Sequence, residues 1–586
     1  MLVLPAVLAS LALLAVAEPI LTARELLNAP ALTLHLHRRL RSQERREAAR
    51  LAEDTADVGQ GGQLAFTSQK PSQEYPALVF DQLVSHDSRY PPPYVNATFR
   101  QRYWFDASHY KPGGPVILLD SGETDGANRI PFLRQGILRI LGEATGGIGI
   151  VLEHRYYGES FPVQNLSTDS LRFLDTLQSL HDSAHFARTI KLPGLGHLNL
   201  TAGQHTPWLY YGGSYAGAKA AFARSLFPDV FWGAIASSAV TTAIVDFWQY
   251  YEPIRQSASA DCMDRLVENT ALIDSLLALN SSFLSPKLKG YFGLPNVTSD
   301  ADFVNALALP LGSWQSRNWD PAVGSKRFDA FCDALTNSTS VRPPTVPFLS
   351  TLPPAALEQL VLPKDPRKTL ESFSTYAAYV KEHIVPLCPP DESQDACFGT
   401  DEYGGDDLDE YEWKSWAYQF CTEWGYFIGA APKGTPSLVS RLLTPEYTGK
   451  ICKRAFPPGE LIRVPDSPNI TAINQWGSFD LSYPRLAFVD GSEDPWLYAT
   501  PHSPTALNPH RKDTLRKPFK LIKGGVHHWD ENGLAPGRTE PPEIAEIHAA
   551  EIEFVQSWMR EWHARGKWRW SIGGADNEGK VAGRWD

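Results

Sequence analysis

The sequence has no excess of positive charge. It carries 54 Lys and Arg residues against 66 Asp and Glu, which gives a formal net charge of −12. Because a phosphate backbone calls for a basic face, this balance argues against nucleic acid as a partner. It also disfavours attachment to anionic membranes by charge. The hydrophobic fraction of 43% and the charged fraction of 20%, over 586 residues, are typical of a globular protein with one large or two ordinary domains.

Long apolar runs are almost absent. One short run opens the chain, MLVLPAVLASLALLAVAEP, and it ends in the small residues Ala15, Val16 and Ala17. Its length and ending predict a signal peptide over residues 1–17, with cleavage after Ala17. The basic region usual before such a run is missing apart from the amino terminus. A signal anchor is the alternative, judged from the length of the run. We expect no transmembrane segment in the mature chain.

Cysteine is scarce, and no two cysteines are spaced as CxxC, so we expect no zinc site and no other metal or cofactor. An even number of cysteines favours disulfides and an oxidising compartment, with sequential pairing as one of several open connectivities. The candidates are Cys262, Cys332, Cys388, Cys397, Cys421 and Cys452. Sites for N-linked glycans also indicate the secretory pathway, with an extracellular, lysosomal or vacuolar destination. These sites are Asn96, Asn165, Asn199, Asn280, Asn296, Asn337 and Asn469.

The residue pattern divides the mature chain into ranges. Residues 18–70 are strongly charged and then linker-like, which predicts either a solvated arm or a removable pro-segment. Apolar runs alternate with amphipathic helices over residues 71–245 and again over 471–565, which predicts an α/β fold with a parallel sheet. Residues 246–470 break this alternation with helix-like pieces and Pro-rich loops, and they hold every cysteine. We predict that they form a disulfide-pinned helical cap.

No binding or catalytic role is predicted for two further segments. The acidic run over residues 401–413 reads DEYGGDDLDEYEW and lacks the spaced ligands of a calcium loop, so a solvated loop is predicted. The Trp-rich residues 566–586 are predicted to form a loose C-terminal tail.

A serine between two structural elements is the strongest local signal. The stretch Gly212, Gly213, Ser214, Tyr215 follows an apolar run and precedes a helix-like run, and Gly217 lies close behind. A serine on such a strand-to-helix turn projects its hydroxyl above the sheet, which is the nucleophile elbow of the α/β-hydrolases. The helix that begins there directs free N–H groups at the site, so the Tyr215 N–H can donate to an oxyanion.

Partners for this serine follow late in the chain. A serine hydroxyl needs an imidazole to take its proton and a carboxylate to orient that imidazole, and the α/β-hydrolase order is Ser, Asp, His. Asp490 and Asp494 follow one late apolar run, and His527 and His528 follow the next. Both pairs fall where catalytic loops of an open sheet belong. From the residues alone, either member of each pair remains a candidate.

At these motifs the chain resembles a family of serine carboxypeptidases. The family includes lysosomal Pro-X carboxypeptidase, dipeptidyl peptidase II, thymus-specific serine protease and fungal acid prolyl endopeptidases. The resemblance runs in family order over residues 75–530. Its matching stretches are QRYWFD, YKPGGPVILLDSGE, EHRYYGES, LRFL, GGSYAGAKAAF, LFPDVFWGAIASSA, DFWQYYEPI, FCTEWGYF, DGSEDPW and GGVHHWD.

The resemblance implies an α/β-hydrolase fold and a serine peptidase that acts on peptides. Carried over residue by residue, it places the nucleophile at Ser214, the carboxylate at Asp494 and the base at His527. It also implies a helical cap that restricts entry to chain ends or short peptides, hence an exopeptidase with a preference for prolyl bonds. The family's Gly-Gly-Glu-Gly loop is replaced by residues 121–124, and Gly122 of this loop is expected to help form the oxyanion hole.

Two other functions remain as alternatives. One is a secreted esterase or lipase on the same fold, and the other is a secreted binding protein without catalytic activity. The sequence leaves open whether cleavage occurs at the amino end, at the carboxyl end or internally, and whether prolyl bonds are preferred. It also leaves open the oligomeric state, a dimer included.

Overall fold

The computed structural model describes residues 21–57, 74–87, 94, 96–203, 205–337, 346–358, 360, 365–535 and 537–573. The predicted signal peptide and residues 574–586 of the predicted tail lie outside these ranges. Residues 566–573, also predicted to be loose tail, continue the last helix instead. In the part of the chain that is described, no helix is both long enough and apolar enough to cross a bilayer.

The centre of the molecule is an eight-stranded mixed sheet with the order β1-β2-β4-β3-β5-β6-β9-β10. Its strands are β1 (Leu78–Leu83), β2 (Thr98–Asp106), β3 (Val116–Asp120), β4 (Ile148–Leu152), β5 (Trp208–Gly213), β6 (Phe231–Ser237), β9 (Leu486–Gly491) and β10 (Phe519–Ile522). Strand β2 pairs antiparallel with both of its neighbours, β1 and β4. All other neighbouring strands of this sheet, from β4 through β3, β5, β6 and β9 to β10, pair in parallel. A parallel sheet with this order and an antiparallel edge is the α/β-hydrolase fold, so the predicted fold class is confirmed.

Helices cover both faces of the sheet, because β3 to β6 and β9 are apolar on both sides and are buried throughout. Those before β7 are α1 (Ala23–Leu26), α2 (Leu34–Asp57), α3 (Ile130–Arg134), α4 (Ile137–Thr145), α5 (Thr176–Thr189) and α6 (Tyr215–Leu226). The helix α19 (Pro542–Gly573) closes the chain, and its Trp558 accepts a 2.9 Å hydrogen bond at its carbonyl from Trp232 Nε1.

Between β6 and β9 the chain forms an insertion of short helices. It also holds the two-stranded parallel pair β7 (Ile244–Asp246) and β8 (Gly425–Phe427). Its helices are α7 (Glu252–Ser257), α8 (Ala260–Ala278), α9 (Leu284–Tyr291), α10 (Asp300–Ala308), α11 (Arg327–Thr336), α12 (Pro354–Leu357), α13 (Pro366–Tyr379), α14 (Gln394–Phe398), α15 (Tyr411–Gln419), α16 (Pro445–Thr448), α17 (Ile451–Ala455) and α18 (Thr471–Asn474).

Three disulfides join parts of this insertion. The bonded pairs follow the sequence order, with Cα–Cα distances of 5.3, 5.6 and 5.4 Å. They are Cys262–Cys332, Cys388–Cys397 and Cys421–Cys452. All three lie between β6 and β9, as expected of a disulfide-pinned insertion.

The N-terminal segment (residues 21–47) is not a solvated arm. Its apolar residues Leu21, Leu26, Leu36 and Leu40 are buried in the same core as the sheet. Its charged face contacts the acidic run over residues 401–413, which was also predicted to be solvated. The N-terminal segment and the acidic run, each predicted to be solvated, therefore pack against each other through opposite charges that are distant in sequence.

Two ion pairs hold this interface. Arg38 Nε lies 2.8 Å from Glu410 Oε1, and Arg41 pairs with Glu412. In addition, the Tyr403 hydroxyl donates a 2.7 Å hydrogen bond to the Leu32 carbonyl. The N-terminal segment is therefore bound to the helical insertion along its length.

The asparagines of all the predicted glycan sites are exposed. Their side chains lie at the surface, where an attached glycan would meet no packed core. They are Asn96, Asn165, Asn199, Asn280, Asn296, Asn337 and Asn469.

Candidate active site

Ser214 stands on a sharp turn at the carboxyl end of β5. Strand β5 ends at Gly213 and α6 begins at Tyr215, so Ser214 alone joins them. Its backbone has φ 58° and ψ −123°, a strained conformation for a residue with a side chain. The turn is held by a 2.9 Å hydrogen bond from the Ser214 N–H to the Ser237 carbonyl. Ser214 thus has the backbone of a nucleophile elbow.

The glycines around Ser214 are required by close backbone approaches. A Cβ atom at Gly212 would lie 2.1 Å from a carbonyl oxygen of α6, and one at Gly217 would lie 2.5 Å from a carbonyl oxygen of β6. A Cβ atom at Gly213 would lie 2.4 Å from Glu531 Oε1. The first two contacts are with backbone, so the elbow tolerates no side chain at Gly212 or Gly217, whereas a Cβ at Gly213 would displace the Glu531 side chain.

A buried carboxylate and an imidazole meet beside the elbow. Asp494 lies in the turn after β9, and its Oδ2 is 2.8 Å from Nδ1 of His527, which follows β10. Asp494 Oδ1 accepts a 2.9 Å hydrogen bond from the Trp496 N–H. Burial alone would raise the pKa of the Asp494 carboxyl, but the His527 imidazole and the hydrogen bonds hold this pKa below its ordinary value. Asp494 is thus placed as an ionised partner of His527.

The competing candidates have other partners. Asp490 Oδ2 lies 2.7 Å from His502 Nδ1, and Asp490 Oδ1 accepts the Ala239 N–H at 3.1 Å. His528 Nδ1 lies 3.1 Å from Glu531, and burial lowers the pKa of His528 well below its ordinary value. Of the four Asp–His combinations left open by the sequence, the structure therefore brings together Asp494 and His527.

Ser214 and His527 line the same cavity. In the described part of the chain, no hydrogen bond joins the Ser214 hydroxyl to an imidazole. Such contacts are commonly long in an enzyme without substrate and tighten when substrate enters. The site therefore holds a carboxylate–imidazole pair, Asp494 and His527, and Ser214 lines the same cavity.

The two predicted oxyanion donors differ in their environment. The Tyr215 N–H is the first amide of α6 and lies next to Ser214, as an oxyanion donor must. The Gly122 N–H, by contrast, already donates a 2.9 Å hydrogen bond to Asp120 Oδ1. Because that amide is occupied, the expectation that the Gly122 N–H serves as a donor does not fit this structure, and the next amide of the loop is that of Glu123.

Buried ion pairs beneath the site were missed by the sequence reasoning. Lys219 of α6 pairs with Asp120 Oδ2, which also accepts a 2.7 Å hydrogen bond from the Tyr210 hydroxyl. All three side chains are buried. An unpaired charge at such depth would cost several kcal/mol, so this pair fixes α6 against the end of β3.

The EHRYYGES motif has a structural explanation in two more ion pairs. Glu153 accepts hydrogen bonds from Arg102, with Nε–Oε2 at 2.9 Å and Nη2–Oε1 at 2.6 Å. Arg155 donates from Nε to Asp182 Oδ2 at 2.6 Å and also binds Oδ1. Such two-point pairs specify geometry as well as energy. The motif thus braces the sheet and contributes no group that lines the cavity.

The cavity has a volume of about 750 Å³. This size lies within the range of roughly 300–1,000 Å³ usual for small-ligand sites. An aromatic wall lines one part of it, formed by Trp416, Phe420, Tyr426, Phe427 and Trp496. Charged residues line another part, among them Arg24 of the N-terminal segment, Glu123 and Arg129. The cavity that Ser214 lines therefore offers both apolar and charged surface.

Comparison with known proteins identifies the family. Residues 92–306 match the family described as serine carboxypeptidase S28. A probable extracellular serine carboxypeptidase of Arthroderma benhamiae is 42% identical over 511 residues, which cover 85% of this chain and 70% of that protein. The chain belongs to this serine carboxypeptidase family.

More distant relatives of the same family agree. Serine protease vicPb of Bipolaris victoriae is 29% identical over 77% of this chain and 83% of that protein. The mouse thymus-specific serine protease is 26% identical over 79% of this chain and 84% of that protein. The predicted family and the predicted class of enzyme, a serine-type peptidase, are thereby confirmed. The disulfides fit the oxidising secretory pathway.

Proposed function

We propose that Ser214, His527 and Asp494 form the catalytic triad with which this peptidase cleaves peptide bonds through an acyl-enzyme. The observation that carries the proposal is the 2.8 Å contact between His527 Nδ1 and Asp494 Oδ2, at a cavity that the elbow serine also lines. Nδ1–H bound to the carboxylate leaves Nε2 free to accept a proton, which is the tautomer that a serine nucleophile needs.

Acylation follows from these positions. The Ser214 Oγ attacks the scissile carbonyl carbon while His527 Nε2 takes its proton, and Asp494 stabilises the imidazolium that forms. The Tyr215 N–H donates to the developing oxyanion. The Gly122 N–H binds Asp120 Oδ1 and the Glu123 N–H binds its own carboxyl, so neither amide is free for this role.

Acylation ends when the tetrahedral intermediate collapses, the C–N bond breaks, and the leaving amine takes its proton from the imidazolium. Deacylation uses the same groups. Water then attacks the ester carbonyl of the acyl-enzyme, His527 accepts its proton, and the acid product leaves while Ser214 regains its hydrogen.

The cavity supports an exopeptidase that acts on short peptides. It is bounded by the helical insertion on one side and by the N-terminal segment on another, so a long folded chain does not fit. The aromatic residues that line the same cavity as Ser214 suit an apolar or prolyl side chain, because they offer flat, apolar surface. An extracellular or lysosomal setting suits such a degradative activity.

The triad is tested by two matched substitutions. Asp494→Asn and Asp490→Asn each remove one buried carboxylate that contacts a histidine, but only the first removes the partner of His527. We expect Asp494→Asn to lower kcat for a prolyl peptide by about 10⁴-fold, since the imidazole loses its orienting acceptor. Asp490→Asn should stay within about tenfold of the wild type.

Both proteins are first shown to be folded by near-ultraviolet circular dichroism. Equal losses in the two variants, or a larger loss in Asp490→Asn, would show that the carboxylate is assigned to the wrong residue. Hydrolysis at the wild-type rate by Ser214→Ala would overturn the whole triad.

A further inference from the structure

The N-terminal segment contributes apolar surface to the active-site cavity. Its residues Leu27 and Leu32 line the cavity that Ser214 and His527 also line. Both leucines are half-buried, so each packs against the protein on one side and is open on another. The segment therefore offers apolar contacts to whatever occupies the cavity.

The two leucines meet apolar residues of the helical insertion. They pack against one buried apolar cluster, to which Trp413, Ala417 and Ile451 belong. These three residues line the cavity as well. Two parts of the chain that are distant in sequence thus build one apolar part of the wall, which we call the apolar subsite (Leu27, Leu32, Trp413, Ala417 and Ile451).

The segment bounds the cavity without filling it. With the segment in place, the cavity still has a volume of about 750 Å³, and Ser214 and His527 still line it. An inhibitory pro-segment would instead occupy the space in front of the nucleophile. The position of the segment is therefore that of a wall and not that of a plug.

The insertion is shaped to receive this segment. A Cβ atom at Gly312 would lie 2.6 Å from the Glu25 carbonyl oxygen, so the two backbones approach each other as closely as a glycine allows. The Asn28 side chain donates a 3.3 Å hydrogen bond to the Gly312 carbonyl. The Glu25 side chain is buried and lies 2.9 Å from Arg327 Nη1. Loss of the segment would leave Arg327 without this partner and a matching surface uncovered.

Hydrogen bonds also fix the backbone around the two leucines. The Leu32 carbonyl accepts a 2.7 Å hydrogen bond from the Tyr403 hydroxyl. Ala31 exchanges two hydrogen bonds with the Asn305 side chain, at 3.0 Å from its N–H and 2.9 Å to its carbonyl. A binding surface that is fixed before substrate arrives loses little freedom on binding.

The charged face of the segment supports the subsite from behind. Arg38 Nε donates a 2.8 Å hydrogen bond to Glu410 Oε1, and the other carboxylate oxygen of Glu410 accepts the indole N–H of Trp413. Arg38 therefore holds, through Glu410, an aromatic side chain that lines the cavity.

We propose that the N-terminal segment stays in the active enzyme and that Leu27 and Leu32 complete the apolar subsite, which selects peptides with a large apolar side chain at one position. The proposal rests on the proposed function of the Ser214 site. Placing such a side chain against apolar surface is favourable in proportion to the area removed from water. The segment is thus a specificity element and not a part that is discarded on activation.

The first test measures selectivity at each position of a peptide. Peptides that the wild type cleaves are made in pairs with Phe or Ala at one position at a time, and kcat/KM is measured for each pair. We expect the wild type to prefer Phe by at least tenfold at one position. Leu27→Ala and Leu32→Ala should each reduce this preference by about three- to tenfold, both at the same position, because both leucines belong to one subsite.

A matched control lies on the same segment. Leu36→Ala makes the same truncation at a leucine that is buried in the core and is not among the residues that line the cavity. It should lower stability and leave the ratio of kcat/KM values unchanged. Leu27→Asp should instead favour Lys over Phe at the selected position, because it places a carboxylate in the wall. Unchanged ratios in both cavity variants, or the same change in Leu36→Ala, would overturn the proposal.

The second test asks whether the segment is present in the active protein. Enzyme secreted by an expression host is labelled with a fluorophosphonate probe and purified without denaturation. The tryptic peptide of residues 25–38 is then quantified by mass spectrometry. We expect one mole of this peptide per mole of labelled enzyme, and its absence would overturn the proposal. Failure of the proposed function looks different, since the wild type would then remain unlabelled or Ser214→Ala would cleave the peptides.

Discussion

A buried carboxyl behind the elbow predicts how stability changes with pH. Asp530 is buried, and its carboxylate accepts hydrogen bonds from the Ser237 hydroxyl, at 2.6 Å, and from the Tyr211 hydroxyl. Burial raises the pKa of Asp530 from 3.8 to about 6, with the nearby Glu531 adding to the effect. Asp530→Asn is the informative change, because an amide resembles the protonated acid in shape and charge.

The direction in which stability changes with pH follows from the raised pKa of Asp530. Because the folded pKa exceeds the unfolded one, the contribution of Asp530 to stability is fully present below pH 3.8 and is lost as the pH rises through about 6. A difference of about two pKa units corresponds to about 3 kcal/mol. The free energy of unfolding of Asp530→Asn, relative to the wild type, should therefore rise by about 3 kcal/mol between pH 4 and pH 7.

The assay is urea-induced unfolding at several pH values from 4 to 8, with disulfides intact. Asp466→Asn serves as the control, since Asp466 is exposed and its charge stays in water in both states. Parallel stability curves for Asp530→Asn and the wild type, or a difference that falls with pH, would refute the reasoning.

Two further substitutions test the support of the site. Lys219→Met leaves the buried Asp120 carboxylate without its cation. In urea titrations it should lower the free energy of unfolding by about 3–5 kcal/mol. The double variant Lys219→Met with Asp120→Asn should recover most of this loss, because the unpaired charge is removed. Gly213→Ala places a Cβ 2.4 Å from Glu531 Oε1 and 3.0 Å from His528 Cε1, so these side chains beside the elbow must shift. We expect kcat to fall by about 10²-fold in a protein that still folds, and wild-type kcat would contradict this.

Much of the fold could be predicted from the sequence because its signals are local. Buried parallel strands are recognisable as short apolar runs. Ser214, Asp494 and His527 each follow such a run, and the carboxyl ends of parallel strands lie at one edge of the sheet. The choice between Asp490 and Asp494 as the partner of His527, by contrast, could not be made from local sequence. Each has a histidine partner, and which partner faces the cavity depends on loops that sequence spacing does not describe.

The role of the N-terminal segment could not be predicted for a different reason. A run rich in arginine and glutamate looks solvated on its own, and its burial depends on acids far away in sequence, as with Arg38 and Glu410. The Gly122 amide illustrates the same limit on a smaller scale. Its side-chain acceptor, Asp120, lies two residues away, and only the folded turn shows that the amide is occupied.

The central claim, that Ser214 is the activated nucleophile, is tested most directly by covalent labelling. The wild-type protein is treated with a fluorophosphonate probe and the modified residue is located by peptide mass spectrometry. Our account predicts one stoichiometric adduct on Ser214, no adduct in Ser214→Ala, and strongly slowed labelling in His527→Gln. An unlabelled wild type, or an adduct on another serine that persists in Ser214→Ala, would contradict it.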